Sequence, residues 1–306
     1  MATRHTYAST DDLREYLSGT TYSSGWTSDA SVLRRILETA SQRIDNYVGM
    51  QSFGPRTETH YYDIGSGSLR NTPQLMRYSG NNQNIGVSDV YIDAIPLNSW
   101  LISPTTVTSY KATDRTSSET LVEGYGNDYF LEPYNRSPKV RLKLNEDTTK
   151  SFHGGQQTLS IVGQWGYSND TILVTTADAV ASTTTTSVSV SSATGFGPAE
   201  TVLIDSEQMY ITAISGNTLT VERGVNGTTA ATHSGGASAY AYQYPALVVS
   251  ACLDLGRIYF RDRDAGATPT IGSGVEGVTR SDFDASSVLS TLDEYRSISV
   301  TSEVFF

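Results

Sequence analysis

Asp205 and Glu207 stand two apart in ETVLIDSEQMYITAI, whose alternation of polar and β-branched residues predicts a strand. Side chains two apart on a strand share one side, so the pair has the spacing to bind Ca²⁺ or to act as acid and base. The competing expectation is a solvated strand face, the commoner fate of paired carboxylates. The four histidines, His5, His60, His153 and His233, offer no helical i,i+4 metal pair and no HExxH context. Each reads as a surface or turn residue. Gly65-Ser66-Gly67 and Gly272-Ser273-Gly274 look like pieces of a phosphate cradle, yet neither continues as a P-loop or a dinucleotide fingerprint, so both read as flexible loops. A nucleophile elbow of the GxSxG kind is also missing. The single cysteine, Cys252, excludes an internal disulfide and a cysteine-based zinc site. It falls on the apolar side of an expected helix, where a thiol is a packing group. No catalytic residue, metal or cofactor is expected.

Three other groups have the chemistry of contacts. Tyr240, Tyr242 and Tyr244 alternate, so one strand face would present three rings able to stack on sugars. Arg261-Asp262-Arg263-Asp264 alternates in sign at a helix end, which suits a neighbouring subunit better than a phosphate backbone. The ending SISVTSEVFF alternates too. Ile298, Val300, Val304, Phe305 and Phe306 are its apolar anchors, and segment 297–306 is expected to dock as an added strand on another chain.

The elements that must position these residues are legible in part. Ser9 and Asp12 form the acidic version of a capping box ahead of Leu13, Tyr16 and Leu17. Ser28 or Asp29 caps a longer helix whose apolar residues, Val32 to Val48, recur at helical spacing until Gly49 ends it. From Thr57 to Tyr167 the period is two, with strands expected at THYYDI, VSDVYIDA, VTSYKA, DYFLEP, KVRLKL and TLSIVGQWGY. A long loop, 63–86, interrupts them. Pro245 opens a third long helix over 246–262, with Leu247, Val248, Ala251, Cys252, Leu255, Ile258 and Tyr259 as its buried stripe. A short helix is expected at about 284–295.

Between Tyr167 and Pro245 the composition changes. Residues 169–243 contain no lysine and a single arginine, Arg223. The segment opens in the Ser/Thr-rich TTADAVASTTTTSVSVSSAT and then alternates, with Gly216-Asn217 as a hairpin turn. The expectation is an inserted β-barrel or β-sandwich at 169–243. It would sit within a body of 1–168 plus 244–306, itself a helical core with a β extension at about 57–168. The expected class is therefore α+β: a small helical bundle with β-rich loops and an inserted all-β module.

The 306 residues carry a net charge of −11, which argues against a protein built to grip phosphate backbones. No window resembles a membrane span. The start MATRHTYASTDD lacks a signal peptide's apolar core, so synthesis in a cytoplasm is expected.

Three segments together resemble the head–tail connector (adaptor) family of long-tailed bacteriophages. They are the pair STDDLREYL and DASVLRRILETASQRIDNYVG, then GQWGYSND with PALVVSACLDLGRIYFRDRD, then VEGVTRSDFDASSVLSTLDEYR. The module 169–243 departs from that family's simpler members, which pass straight from strand to helix. The resemblance implies a structural virion protein without an active site, assembled in the host bacterial cytoplasm. It would form a homo-oligomeric ring, commonly of about twelve copies, beneath the portal protein. Such a ring prolongs the DNA channel without sequence-specific binding and docks the next neck or tail component. Two competing readings come from the residues alone: a glycan-binding or decorating virion protein using Tyr240, Tyr242 and Tyr244, and an acid–base hydrolase using Asp205 and Glu207.

Overall fold

The computed structural model describes residues 4–18, 29–49, 52–64, 94–111, 115–267 and 285–296. The chain divides into two compact units, 57–167 and the remainder, which joins 1–56 to 168–306.

The unit 57–167 is a folded antiparallel sheet. Its strands are β1 (Arg56–Ile64), β2 (Ala94–Tyr110), β3 (Ser118–Leu121), β4 (Tyr129–Glu132), β5 (Lys139–Leu144) and β6 (Gly155–Trp165), ordered β1-β6-β2-β5-β4, with β3 also on β2. Strand β2 is the spine: its first part pairs with β5 and its second part with β6 and β3. Pro96 and Pro104 are tolerated because the pairing shifts register beside each of them, and a shifted register has no ladder bond for proline to break. The inward residues Leu101, Val107, Leu131, Leu142, Leu159, Ile161 and Trp165 make a separate core. Trp165 donates from its indole nitrogen to the Glu58 carbonyl at 3.2 Å and stacks on His60 at 3.8 Å. The strands expected at THYYDI, DYFLEP, KVRLKL and TLSIVGQWGY are present. VTSYKA is the end of the longer β2, β3 was not expected, and most of VSDVYIDA lies outside the described residues.

In the other unit a second six-stranded sheet packs with the helices. It holds β7 (Thr171–Ala177), β8 (Ser187–Ser189), β9 (Thr201–Ile204), β10 (Glu207–Ser215), β11 (Thr218–Glu222) and β12 (Ala237–Tyr242), in the order β7-β12-β9-β10-β11-β8. An Ala177–Val190 bridge, with Asp178 N–H donating to Ser189 O and Ser191 N–H to Thr176 O, ties the last strand back to the first. That closure shields edges that would otherwise stay open. Val188, Val202, Ile204, Met209, Ile211, Leu219 and Val221 fill the interior. The Gly216-Asn217 turn joins β10 to β11, with Gly216 at φ 57°. Both ends of the segment meet at β7 and β12, where Thr171 is paired with Tyr242.

The helices are α1 (Thr10–Leu17), α2 (Ala30–Val48), α3 (Ala246–Ala267) and α4 (Ala285–Ser290). Ser9 and Asp12 close the capping box, Asp29 caps α2, and Gly49 ends it at φ 74°. Helix α3 packs on the other three. Its buried side carries Val248, Ala251, Cys252, Leu255, Ile258 and Phe260, while Leu247 is exposed and Tyr259 half-buried. Gly256 lets α3 approach α1 and α2: a Cβ there would lie 3.0 Å from Leu13 and 3.8 Å from Ile36. Among the described residues no helix is long and apolar enough to cross a membrane.

The expected helical bundle with β-rich loops is thus corrected. Among the described residues strands outweigh helices: there are two antiparallel sheets of six strands and four α-helices, and 24% of those residues are helical. The alternating segments of 57–167 do not decorate a bundle. They satisfy their backbone groups in their own ladders and bury their own core, so they form a sheet outright.

The segment Arg4–Thr10 is a strap between the second sheet and α2. Arg4 N–H donates to Asn226 Oδ1 at 2.9 Å, and Arg4 O accepts from Thr201 Oγ1 and Asn226 Nδ2 at 3.1 and 3.0 Å. Thr6 Oγ1 donates to Ala199 O, and Thr10 N–H to Pro198 O at 2.9 Å. Gly197 lies so close that an added Cβ would come within 2.3 Å of Ser9 Cβ. Gly197→Ala should therefore destabilise the fold by about 1–3 kcal/mol through overpacking. Urea denaturation monitored by far-UV circular dichroism checks this; an unchanged midpoint would refute the close approach.

Candidate functional site

Three polar sites were assembled from residues distant in sequence. The first lies at one end of the second sheet. Glu207 opens β10 directly after the two-residue turn Asp205-Ser206, and Asp205 adopts φ 52° there. Positive φ suits such a tight hairpin turn, and aspartate tolerates it better than most residues. The turn separates the two carboxylates instead of aligning them: Asp205 is 60% exposed at its side chain and Glu207 is fully buried. The expectation of a solvated strand pair fails for Glu207.

Arg223 meets Glu207 in a fork, Nε to Oε1 and Nη2 to Oε2, both at 2.7 Å. Gly224 N–H donates to Oε1 at 3.0 Å and Ala231 N–H to Oε2 at 2.9 Å. The remaining guanidinium hydrogens reach Ser182 O at 3.2 Å, Thr185 O at 2.8 Å and Ala231 O. All five donors of the arginine are therefore used. His233, surface-like in the sequence, is buried, with Nε2 2.9 Å from Glu207 Oε2 and Nδ1 2.7 Å from Asp205 Oδ2. Burial by itself would raise the Glu207 pKa, but the Arg223 fork, the Ala231 N–H and His233 together hold it below the ordinary carboxylate range.

This geometry limits the chemistry. Glu207 has no oxygen left for Ca²⁺ without displacing several donors, and both His233 nitrogens face carboxylates rather than a nucleophile. Asp205 and Glu207 grip opposite ends of one imidazole. The cluster acts as a clamp: it ties the Ser/Thr-rich 182–185 stretch and the 223–233 loop to the start of β10. The sequence signal was Arg223 itself, the lone Lys/Arg in residues 169–243.

The second site lies between α2 and the strap. Tyr7 Oη donates to Asp45 Oδ1, and Phe53 N–H donates to Tyr7 Oη at 3.1 Å. His5 Nε2 lies 3.0 Å from Asp45 Oδ2 and 2.9 Å from Ser52 Oγ, and Arg56 Nη2 is 3.7 Å from Asp45. Burial, then the Asp45 carboxylate, pushes the Tyr7 pKa well above its ordinary value. Serine, histidine and aspartate meet here, but both partners share Nε2. A relay needs the carboxylate on Nδ1 and the hydroxyl on Nε2, so this arrangement orients side chains and does not activate Ser52. Nearby, burial raises the Cys252 thiol to about 11, in keeping with a packing group.

The third site is a cavity of about 190 Å³ among the strap, α1, the second sheet and α3, with Tyr7, Asp12, Glu200, Tyr242, Tyr244 and Val249 in its wall. Glu200 Oε2 accepts from Gly197 N–H at 2.7 Å. Burial, opposed by that bond and reinforced by Asp12 and Asp11, raises Glu200 to about 7. Of the three tyrosines expected on one face, Tyr242 and Tyr244 line this cavity, and Tyr244 packs edge-on against Tyr7 at 4.9 Å. Tyr240 is paired with Leu203 and Leu173 across the sheet. Arg261 lies 3.6 Å from Asp262, and Arg263 is exposed on α3. Ile298, Val300, Val304, Phe305 and Phe306 lie outside the described residues. Among the described residues no group of three or more His, Cys, Asp or Glu is placed to hold a metal ion.

Two measurements check these environments. Glu207→Gln should cost about 3–5 kcal/mol in urea denaturation, since it leaves Arg223 buried without its counter-charge. Asp205→Asn, at an exposed carboxylate, should change stability by less than about 1 kcal/mol; equal losses for the two would refute the clamp.

Glu200 predicts a pH dependence of the opposite sign to that of a salt-bridged acid. Its folded pKa, about 7, exceeds the unfolded value of about 4.3, so between the two the folded state binds more protons. Its contribution to stability is complete below about pH 4 and falls as pH rises toward 7, by up to about 3 kcal/mol. Glu200→Gln should flatten that slope and raise the midpoint at pH 8. A wild-type slope unchanged in the variant would exclude Glu200 as its source.

Comparison of the chain with protein-family models, with curated proteins and with solved structures finds no match.

Proposed function

We propose that this protein is a structural component of a phage virion, a head-to-tail adaptor that forms a homo-oligomeric ring below the portal protein. One observation carries the reading. The segments that resemble the connector family are scattered along the sequence, yet their helices pack into one layer. Helix α3 lies against α1, α2 and α4. Tyr16 Oη donates to Asp254 at 2.6 Å, joining α1 to α3, and Tyr47 Oη donates to Asp293 at 2.5 Å, joining α2 to the turn after α4.

In this reading the helical layer is the scaffold of the subunit, and Arg261 and Arg263 on α3 face a neighbour. The tail 297–306, outside the described residues, is the contact with the portal or with an adjacent subunit. The excess negative charge lets DNA pass through the channel without adhering, because like charges repel within a Debye length of about 8–10 Å. The next neck or tail component docks below, at the virion neck.

Native mass spectrometry and negative-stain microscopy of the purified chain, with and without portal protein, test the proposal. A closed ring of about twelve copies that co-sediments with the portal is expected. A chain that stays monomeric with portal present, and is missing from the necks of purified particles, would overturn it.

A further inference from the structure

The cavity beside Glu200 has the makings of a cation site. Its carboxylates come from two elements: Asp12 from the first turn of α1 and Glu200 from the loop before β9. Asp12 is engaged by the capping box, through Ser9 N–H and Oγ at 2.8 Å. Glu200 has one oxygen on Gly197 N–H, and its Oε1 has no hydrogen bond among the described residues. Among the described residues no lysine or arginine lines the space. A half-buried carboxylate thus shares the wall with one further acid, Asp12, and among the described residues with no basic one.

The rest of the wall is aromatic. Tyr7 and Tyr244 stand at 75° to one another, ring centres 4.9 Å apart, and Tyr242 lies beside them. Adjacent aromatic walls near a carboxylate suit a cation, whose charge is attracted both by ring faces and by the anion. An anion would meet the two carboxylates of the wall, and three amides at the start of α1 are engaged elsewhere: Thr10 N–H on Pro198 O, Asp12 N–H on Ser9 Oγ, Leu13 N–H on Ser9 O. A wholly apolar guest would leave Glu200 Oε1 unpartnered in a dry site. The volume of about 190 Å³ far exceeds the ~10–15 Å³ that admits one water, so a charged head on a slim stem fits. Val249 of α3 offers an apolar contact for that stem.

We infer that this cavity binds an alkylguanidinium or alkylammonium group, held by Glu200 with Tyr7, Tyr242 and Tyr244 as its aromatic walls. The assignment stands apart from the ring reading, because the group can come from a free amine or from the Lys or Arg side chain of a second copy.

The probe is n-butylguanidinium, with uncharged n-butylurea as its isostere, titrated at pH 8 into ¹⁵N-labelled full-length protein while the Gly197 and Ser9 amides are followed. Butylguanidinium should shift both amides and bind at least tenfold tighter than butylurea. In Glu200→Gln, which keeps the side chain's shape, the preference should vanish. Equal binding of the two probes to the wild type, or no shift at those amides, overturns the site without relying on any variant. Sedimentation velocity then separates the sources. Dissociation of assemblies by butylguanidinium, mirrored in Glu200→Gln, supports the site with a second copy as donor. Unchanged association alongside charge-selective binding supports it with a free amine.

Discussion

The strap of residues 4–10 is the constraint on which the larger unit depends. Its backbone is buried between a β-sheet and a helix pair, where an unpaired peptide group costs about 1–3 kcal/mol. Each polar group must therefore find a partner on one side or the other. Arg4 does so on both sides: its main chain bonds Asn226 and Thr201, while its guanidinium reaches Glu38 of α2 and Glu222 of β11. Glu38 in turn accepts from Tyr210 Oη of β10 at 2.9 Å. Through these bonds the segment 169–243 is one body with the helices instead of an appendage on a stalk.

The clamp of Glu207, Arg223 and His233 plays the corresponding part inside the sheet. A Ser/Thr-rich stretch such as 178–186 has little apolar surface with which to hold a fixed path. Arg223 supplies the missing energy by binding the carbonyls of Ser182 and Thr185, and the Val180–His233 bridge anchors the stretch further upstream. The cost of burying charge is met because each donor and acceptor in the fork is paired, the condition under which a buried ion pair is tolerated. The same completeness leaves both Glu207 oxygens and all five Arg223 donors engaged within the protein.

Much of this fold was legible in the sequence. Capping residues Ser9, Asp12 and Asp29, the terminal Gly49, the Gly216-Asn217 turn and the helical spacing in α2 act through local geometry, which a few consecutive residues determine. The period of two in 57–167 marked strands correctly at four places. It could not say whether they hang on a bundle or close into a sheet with its own core, because pairing partners lie tens of residues apart, as Leu101 and Trp165 do.

The sites divide along the same line. Residue types and spacing correctly marked Cys252 as a packing group, since an apolar helix side dictates that fate wherever the helix docks. They misplaced Glu207, His233 and His5, whose surroundings are set by Arg223, Asp205 and Asp45, the last of them 40 residues from His5. A two-residue turn turned Asp205 out and Glu207 in, which strand alternation does not foresee. The Glu200 cavity exists only because the strap, α1, the sheet and α3 converge there. Local sequence determined which elements form; long-range pairing alone decided which carboxylates are buried and which face open space.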